Sequence, residues 1–279
     1  MEFRKYDNIE SFGRDILNIL LRNEACNNLM ISWLLENRSI PNSDWLMATV
    51  SDNDHILLAA LWSKPFNLML YEDEHHRSDA AMDFLARNVR LGRYSLPGVL
   101  AEQTTAKRFA YSYLQSKALS IHNSMVAMQL DRLIKCDRAS GLCRALSERD
   151  MFYTPYWERA FSEDCKSHVF SITECQERIR TRLGKNTHFI WQDGVPVSQA
   201  VFGRGTPSGA VINWVYTPPY YRGRGYATSV VAELSASLLG QGKRFCCLFA
   251  DTQNHISQKI YRKLGYYDIC VYDDIRFDT

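Results

Sequence analysis

The feature that most constrains the fold is a pair of hairpin patterns, one in each half of the chain. In the second half, THFIWQDGVPVSQAVFGRG places two runs of β-forming residues around Asp193-Gly194, a dipeptide that favours a tight turn. In the first half, DWLMATVSDNDHILLAALW repeats this pattern around DND. A third strand follows each hairpin, as FNLMLYE and as GAVINWVYT. Because the two patterns lie half a chain apart, they predict one topology used twice.

The elements around the hairpins extend the repeat. Each half is predicted to continue from its third strand with a helix, a strand, a second helix and a final strand. Two helices are predicted before each hairpin, and in the second half the short strand GLCRA precedes them. We therefore predict an α/β fold of the α+β type, with two domains in tandem. Each domain has a twisted, mixed and mostly antiparallel sheet flanked by helices. The predicted domains are residues 1–135 and 141–279, joined by KCDRASG, and a chain of 279 residues suits two domains.

The charge balance excludes some classes of partner. The 33 basic residues nearly cancel the 31 acidic ones, so no overall field attracts a nucleic acid or an anionic membrane. No apolar run approaches the length that crosses a membrane, and MEFRKYDNIE lacks the apolar core of a secretion signal. The expectation is a cytoplasmic protein, monomeric or weakly dimeric, without nucleic-acid or membrane partners.

The cysteines and histidines predict neither disulfides nor a metal. The eight cysteines form no CxxC pair, so reduced thiols are expected. Cys246 and Cys247 are adjacent on a predicted buried strand, where core packing is expected rather than nucleophilic chemistry. The seven histidines show no ligand spacing. His75-His76 follows an acidic run and is interpreted as part of an exposed loop.

The stretch VYTPPYYRGRGYATSVV carries the clearest sign of a ligand. Gly223 and Gly225 lie between an apolar strand pattern and a helix pattern, with Arg222 and Arg224 beside them. The first amides of a helix point outward unpaired, and glycine lets an anion approach the backbone, so this turn predicts a phosphate site. At the same place the first half has YEDEHHRSDAA, which has no glycine and whose acidic residues repel an anion. Only the second half is expected to bind the phosphate.

Two other phosphate loops fit less well. A P-loop needs GxxxxGK followed by Ser or Thr, and the stretch from Gly223 to Thr228 lacks that lysine. As a dinucleotide fingerprint the same stretch is GxGxxT, with Asp251 placed for a ribose, but the third glycine is missing. In addition, TPPYY separates the glycines from the strand, and an antiparallel hairpin precedes the loop.

A third type of loop fits. Arg222 to Ala227 match R-x-x-G-x-A, and TPPYYRGRGYAT resembles the pyrophosphate loop of the GNAT superfamily of acyl-CoA-dependent N-acetyltransferases. Asn254, Tyr261 and the pair Gly265-Tyr266 resemble its second signature, and the element order of residues 141–279 matches its fold. Residues 1–135 resemble it in topology only, as in the members that carry two such domains with a degenerate first copy.

The resemblance implies acetyl-CoA as acyl donor, without a metal. It assigns the pyrophosphate to a loop whose cofactor-binding residues are Arg222, Gly223, Arg224, Gly225, Tyr226, Ala227 and Thr228. It assigns the pantetheine arm to Val215, Tyr216 and Thr217, on a strand splayed from its neighbour by a bulge, and adds Asn254 as a further cofactor contact. The implied catalytic residue is Tyr261, whose phenol would protonate the departing thiolate.

The acceptor implied is the primary amine of a small or amino-acid-like molecule. Four residues, Glu163, Asp164, His168 and Glu174, fall in the helix region that usually walls the acceptor pocket, but solvated surface is expected for each. The first domain is hypothesised to shape that pocket. Two alternatives stay open: a non-catalytic acyl-CoA sensor or interaction module, which would keep the same cofactor residues, and a structural protein with a vestigial loop, which would not bind CoA. An intact Tyr261 favours the enzyme.

Overall fold

The computed structural model describes residues 1–36, 44–116, 119–165 and 167–277. Its internal contacts divide the chain into two units. The first unit contains Met1–Ala127, Asp251–Gln253 and the residues from Ile269 onward. The second unit contains Met128–Ala250 and Asn254–Asp268.

The elements follow one another in the predicted order, except that a short strand at Glu2–Lys5, which was not predicted, precedes the first helix. The first part of the chain contains β1 (Glu2–Lys5), α1 (Ile9–Leu20), α2 (Asn28–Glu36), β2 (Leu46–Asp52), β3 (His55–Trp62), β4 (Leu68–Glu72), α3 (Asp79–Leu91), β5 (Gly98–Glu102), α4 (Gln103–Leu114) and β6 (Ser120–Leu130). The second part contains β7 (Leu142–Ala145), α5 (Thr154–Asp164), α6 (Ile172–Lys185), β8 (His188–Asp193), β9 (Val195–Gly205), β10 (Gly209–Tyr216), α7 (Tyr226–Gly240), β11 (Phe245–Asp251), α8 (His255–Leu264) and β12 (Tyr267–Arg276).

Both predicted hairpins are confirmed. β2 and β3 pair antiparallel around Asn53 and Asp54, which have φ of 47° and 63°. β8 and β9 pair antiparallel around Gly194, at φ 67°. Residues at these turns need a positive φ, which Gly, Asn and Asp tolerate best, so the local sequence is sufficient to place both turns.

The repeat is also confirmed at the level of topology. In each half an antiparallel hairpin is followed by a third antiparallel strand, a helix, and a strand that pairs parallel with the third strand. The parallel pairs are β4 with β5 and β10 with β11. The chain therefore has a mixed, mostly antiparallel α/β fold in which one element order occurs twice.

In the first unit the sheet runs β1-β2-β3-β4-β5-β12-β6 and both of its faces are buried. On β2, Leu46 and Val50 pack on the side that also holds residues of α3 and α4, including Phe109. Met47 packs on the other side, with Phe12 of α1 and other apolar residues of α1 and α2. Because side chains alternate between the two faces of a strand, successive residues of β2 pack into two separate cores.

The C-terminal strand is placed differently from the sequence-based assignment. Sequence analysis assigned it to the second domain, whereas residues Tyr272–Arg276 of β12 pair antiparallel with Gly98–Glu102 of β5. Ile275 and Phe277 complete the first unit's core beside Phe109. The local pattern of β12 identifies it as a strand, but does not determine which of the chain's apolar strands it joins.

This placement corrects the prediction of uniformly reduced thiols. Cys270 on β12 forms a disulfide with Cys26, which lies just before α2, across a sequence separation of 244 residues. The pair has no local spacing signal because its members meet only when β12 joins the first unit. The other six cysteines lie outside disulfides, and burial of Cys246 and Cys247 confirms their packing role.

In the second unit the sheet runs β11-β10-β9-β8-β7. Helix α7 packs against β8, β9 and β10, and Ile179 of α6 packs with Ile190 of β8. Across the described ranges of the chain, no helix is both long enough and apolar enough to cross a bilayer.

Candidate active site

The glycine turn opens helix α7 with unpaired backbone amides. After β10 the chain makes a 3-10 turn at Pro219–Tyr221, and Gly223 and Gly225 follow with φ of 77° and 81°. Gly225 is the N-cap of α7 and provides no side-chain cap. The first amide bonded within the helix is that of Ser229, which donates to the Gly225 carbonyl at 3.0 Å. The three preceding amides therefore have no carbonyl partner within the helix and, with the positive end of the helix dipole, have the donors and the potential that suit an anion.

Substituting Gly225 should test this turn. The Cβ of an alanine would have room, since its nearest neighbour is the Ala139 Cβ at 3.8 Å, but the φ of 81° is unfavourable for any residue with a Cβ. The strain is about 1–2 kcal/mol, and relaxing it reorients the amides. We expect Gly225→Ala to raise the KM for acetyl-CoA about tenfold or more. Gly240→Ala, at an open site in the same helix, is the control and should leave KM unchanged. Equal KM values for both variants would contradict the assignment.

The two arginines of the turn have different surroundings. Arg222 Nε donates to the Thr217 carbonyl at 2.9 Å, and its Nη2 pairs with Asp164 at 2.7 Å. Its guanidinium therefore holds the turn against the ends of β10 and α5, and its role in binding the pyrophosphate stays a prediction. Arg224 is exposed, and within the described part of the chain it forms no hydrogen bond or ion pair.

Tyr226 fixes the start of α7 instead of facing a ligand. Its side chain is buried, and its hydroxyl donates to Asp193 at 2.6 Å. Ser140 donates to the same carboxylate oxygen at 2.6 Å, and these hydrogen bonds lower the pKa of Asp193. Asp193, which belongs to the hairpin turn, thus also anchors the start of the helix. The side chain of Tyr226 is used in this contact, so its backbone amide is the group that can face a phosphate.

Strand β10 separates from β11 just before the turn. The two strands pair only over Gly209–Val211, although both continue further. The pairing of β10 with β9 shifts register between Asn213 and Tyr216, and Trp214 has a φ of 52°. This is the bulge and the splay that the family resemblance implies.

The splayed segment contains the three residues predicted to bind the pantetheine arm. The Tyr216 carbonyl accepts a hydrogen bond from Ser198 Oγ at 3.1 Å, and the Thr217 carbonyl accepts one from Arg222. Each carbonyl has a second lone pair, so these contacts fix the segment without closing it to a ligand. The role of Val215, Tyr216 and Thr217 in binding the arm stays a prediction.

Tyr261 lies on α8 with its hydroxyl unused. The side chain is buried and its ring contacts that of Tyr266 edge-on, with centroids 5.9 Å apart. Within the described residues its hydroxyl makes no hydrogen bond. Burial, with a smaller contribution from Cys165, raises the pKa of Tyr261 well above that of a free tyrosine. The phenol is therefore protonated at neutral pH, the form that an acid catalyst requires.

Asn254 caps α8, as the sequence predicts. Its Oδ1 accepts the Ser257 amide at 3.1 Å. Its other predicted role, as a contact of the cofactor, stays a prediction.

A charged cluster that sequence reasoning missed lies beside the bulge. Glu158 of α5 is fully buried and bonds to two arginines of α6, Arg178 through Nε at 2.6 Å and Arg182 through Nη1 and Nη2. The guanidinium of Arg178 lies over the rings of Phe170, at 4.2 Å, and Trp214, at 5.2 Å. We call Glu158, Arg178 and Arg182 the Glu158 cluster; with two arginines and one carboxylate it carries an excess positive charge.

The signal for this cluster was present but weak. Arg178 and Arg182 are four residues apart on a predicted helix, so they lie on one face. Glu158 belongs to another helix, and nothing in its own segment marks it as buried. Charged residues at helical spacing usually indicate a solvated surface.

The four residues considered near the acceptor pocket are confirmed as exposed. Three of them have structural partners: Glu163 pairs with Arg159, Asp164 with Arg222, and Glu174 caps α6 in a box with Ser171. His168 stacks edge-on against Phe170.

Comparison with known proteins supports this interpretation of the second unit. Residues 194–273 match the family described as FR47-like protein. No curated protein sequence matches the chain. Its fold is similar to that of a GCN5-related N-acetyltransferase from Sphaerobacter thermophilus, with 14% identity and a TM-score of 0.69 over 99% of this chain and 95% of that chain.

Two further structures extend the likeness over the whole chain. An acetyltransferase of the GNAT family from Colwellia psychrerythraea has 10% identity and a TM-score of 0.63 over 99% of this chain and 100% of that chain. A tandem GNAT protein from the clavulanic acid biosynthesis pathway has 13% identity and a TM-score of 0.57 over 98% and 97%. At these identities the likeness is one of fold. The chain therefore has the fold of GNAT acetyltransferases over its length, and residues 194–273 match the FR47-like family.

Proposed function

We propose that the chain is an N-acetyltransferase that transfers the acetyl group of acetyl-CoA to the primary amine of a small, amino-acid-like acceptor. The observation that carries this proposal is the set of unpaired amides at the start of α7, reached through two positive-φ glycines directly after β10 has separated from β11.

The residues present fit the donor. The amides from Gly223 to Thr228 suit a pyrophosphate, because the helix start adds positive potential and no side-chain cap covers it. The splayed end of β10 offers backbone groups to the amides of a pantetheine arm, as an added strand would.

Acetyl-CoA, when bound, supplies a thioester carbonyl that an amine can attack. The acceptor must first lose a proton to solvent, since an ammonium ion has no free electron pair. The C–N bond then forms, the C–S bond breaks, and the nitrogen releases its second proton to solvent to give the amide. We assign Tyr261 as the acid that gives its proton to the departing sulfur, which solvent later replaces. We assign to a backbone amide near Tyr216, at the splay, the stabilisation of the charge on the carbonyl oxygen.

Arg178 supports an acceptor that carries a carboxylate. Its Nε is used by Glu158, but within the described residues Nη1 and Nη2 have no hydrogen-bond partner. Its side chain is 37% exposed, and its guanidinium contacts the rings of Phe170 and Trp214. A guanidinium fixed in this way presents two parallel donors, the geometry that a carboxylate accepts. Trp214 is at the bulge, next to the segment assigned to the pantetheine arm.

The carboxylate assignment predicts a selective effect on KM. Arg178→Gln should raise the KM for amino acids about 10- to 100-fold, because a charge-assisted hydrogen bond contributes about 1.5–3 kcal/mol. It should leave the KM for the corresponding amino-acid amides within about twofold. Arg180→Gln, exposed on the same helix, is the matched control. An equal loss with acids and amides would contradict a carboxylate contact.

The proposed activity is tested by thiol release from acetyl-CoA across a panel of amines, with mass spectrometry of the products. Acetylated product is the expected result. CoA binding without turnover on any amine would favour the acyl-CoA sensor. Absence of any thermal shift with CoA would overturn both, because a ligand at about 100 times its Kd stabilises a fold by about 2.7 kcal/mol.

A further inference from the structure

The first unit carries a second set of converging polar groups, at the place where the second unit has its phosphate turn. In the repeat, the connection from β10 to α7 corresponds to the connection from β4 to α3, residues 73–78. That connection lacks glycine and begins with Asp73, whose side chain is only 4% exposed. A buried carboxylate repels an anion and calls for a cation.

Two imidazoles converge on one oxygen of Asp73. His55 Nε2 lies 2.8 Å from Asp73 Oδ2, and His76 Nδ1 lies 3.2 Å from the same atom. Each of the three residues has a ligand atom within 4.8 Å of the ligand atoms of the other two. The two imidazole rings lie 4.4 Å apart, centroid to centroid. His55 comes from the first residue of β3 and the other two from the turn after β4, so the sheet brings them together.

Asp73 differs from the neighbouring Glu72 in its charge partners. Glu72, also nearly buried, is neutralised by Arg108 and lies 3.8 Å from Arg77. Asp73 has no such partner: within the described ranges, no lysine or arginine pairs with it, and its only ionic contacts are the two histidines. Its negative charge therefore remains available to a cation.

We propose that His55, Asp73 and His76 form a site for a divalent transition-metal ion of the zinc type. Two imidazole nitrogens with one carboxylate oxygen form a ligand set that such ions prefer, whereas Mg²⁺ and Ca²⁺ prefer oxygen ligands throughout. A tetrahedral zinc ion with bonds of about 2.0–2.1 Å holds its ligand atoms about 3.3 Å apart. The two nitrogen-to-oxygen separations, 2.8 and 3.2 Å, are close to that value, and the two ligand nitrogens of the histidines lie within 4.8 Å of each other.

The carboxylate is also oriented for this role. Asp73 Oδ1 accepts the backbone amide of His75 at 3.0 Å, which leaves Oδ2 directed at the imidazoles. Such a hydrogen bond to the second oxygen fixes a metal ligand in position. A bound ion would tie the start of β3 to the turn after β4, and its fourth position would be open to water. This site does not depend on the proposed acetyltransferase activity.

Zinc titration of the full-length protein tests the proposal. Six cysteines lie outside the disulfide, and thiols are themselves zinc ligands, so the titration is made after alkylation of the accessible thiols, by calorimetry with Zn²⁺ and by the visible spectrum with Co²⁺. We expect one ion per chain. His55→Ala and His76→Ala should each weaken binding about tenfold or more.

His75→Ala is the matched control. His75 is 81% exposed, contacts only Glu74 among charged side chains, and contributes its amide, which alanine keeps. It should bind zinc as the unsubstituted protein does. Absence of zinc binding, equal affinity in all three histidine variants, or equally tight binding of Ca²⁺ would overturn the proposal. The ring of His76 is 58% exposed, so His76→Ala decides the question even if His55→Ala does not fold.

Discussion

Tyr261→Phe is expected to lower kcat about 100-fold or more while leaving the KM for acetyl-CoA nearly unchanged. A positioned acid contributes about 10²–10⁴ to a rate, and removing the hydroxyl leaves the thiolate to be protonated by water. The folded protein should lose little stability, because the hydroxyl forms no hydrogen bond within the described residues. Steady-state thiol release and a thermal melt measure the two effects.

Tyr266→Phe is the control, because it should lower the stability of the protein and leave kcat nearly unchanged. Tyr266 is buried beside Tyr261, and its hydroxyl bonds to Ser235 of α7 at 2.9 Å. Losing that bond should cost about 0.5–1.5 kcal/mol of unfolding free energy while kcat stays within about twofold. If Tyr261→Phe keeps the original kcat, Tyr261 is a packing residue and the assigned mechanism is wrong.

The raised pKa of Tyr261 also determines how kcat should depend on pH. Burial favours the neutral phenol, so the acid form persists above the ordinary tyrosine pKa of about 10. We expect no loss of kcat from Tyr261 deprotonation below about pH 10, in a profile recorded with saturating acceptor. A fall in kcat centred below pH 9 that is absent from Tyr261→Phe would contradict this environment.

Glu158→Ala should lower the unfolding free energy of the protein by about 3–5 kcal/mol. Glu158 is fully buried, and the side chain of its partner Arg182 is only 13% exposed. Removing the carboxylate leaves a buried guanidinium without a counter-charge, which costs far more than an intact pair contributes. Denaturant unfolding followed by tryptophan fluorescence is suitable, because Trp214 lies over both arginines of the cluster.

Glu163→Ala is the matched control on the same helix. Glu163 is exposed and pairs with Arg159 four residues away at 3.1 Å, a contact that contributes about 0.3–0.5 kcal/mol. Equal destabilisation by the two substitutions would show that the Glu158 cluster is hydrated rather than buried.

Local chemistry explains why much of the fold was predictable. Turns at Asn53-Asp54 and Gly194 need positive φ, and the residues there supply it without help from distant contacts. The Asn254 cap and the glycine turn before α7 also form within a few residues of sequence. Each such signal involves atoms that are near neighbours along the chain in every conformation.

The residues that sequence reasoning missed are joined by long-range contacts. Glu158 meets Arg178 and Arg182 only when α5 packs on α6. His55 meets Asp73 and His76 only through the register of β3 with β4. Spacing along the sequence relates Arg178 to Arg182 and Asp73 to His76, but it does not indicate that Glu158 joins the first pair or that His55 joins the second.

The sequence by itself determined the repeated element order, both hairpins and the bare amides at the start of α7, because backbone sterics and turn chemistry act over a few residues. Tertiary structure alone decided that β12 joins β5, that Cys270 consequently reaches Cys26, and which charges are buried. The physical reason is that strand pairing and burial depend on which surfaces meet, and several apolar strands of similar length are equally suitable partners until the whole chain has folded.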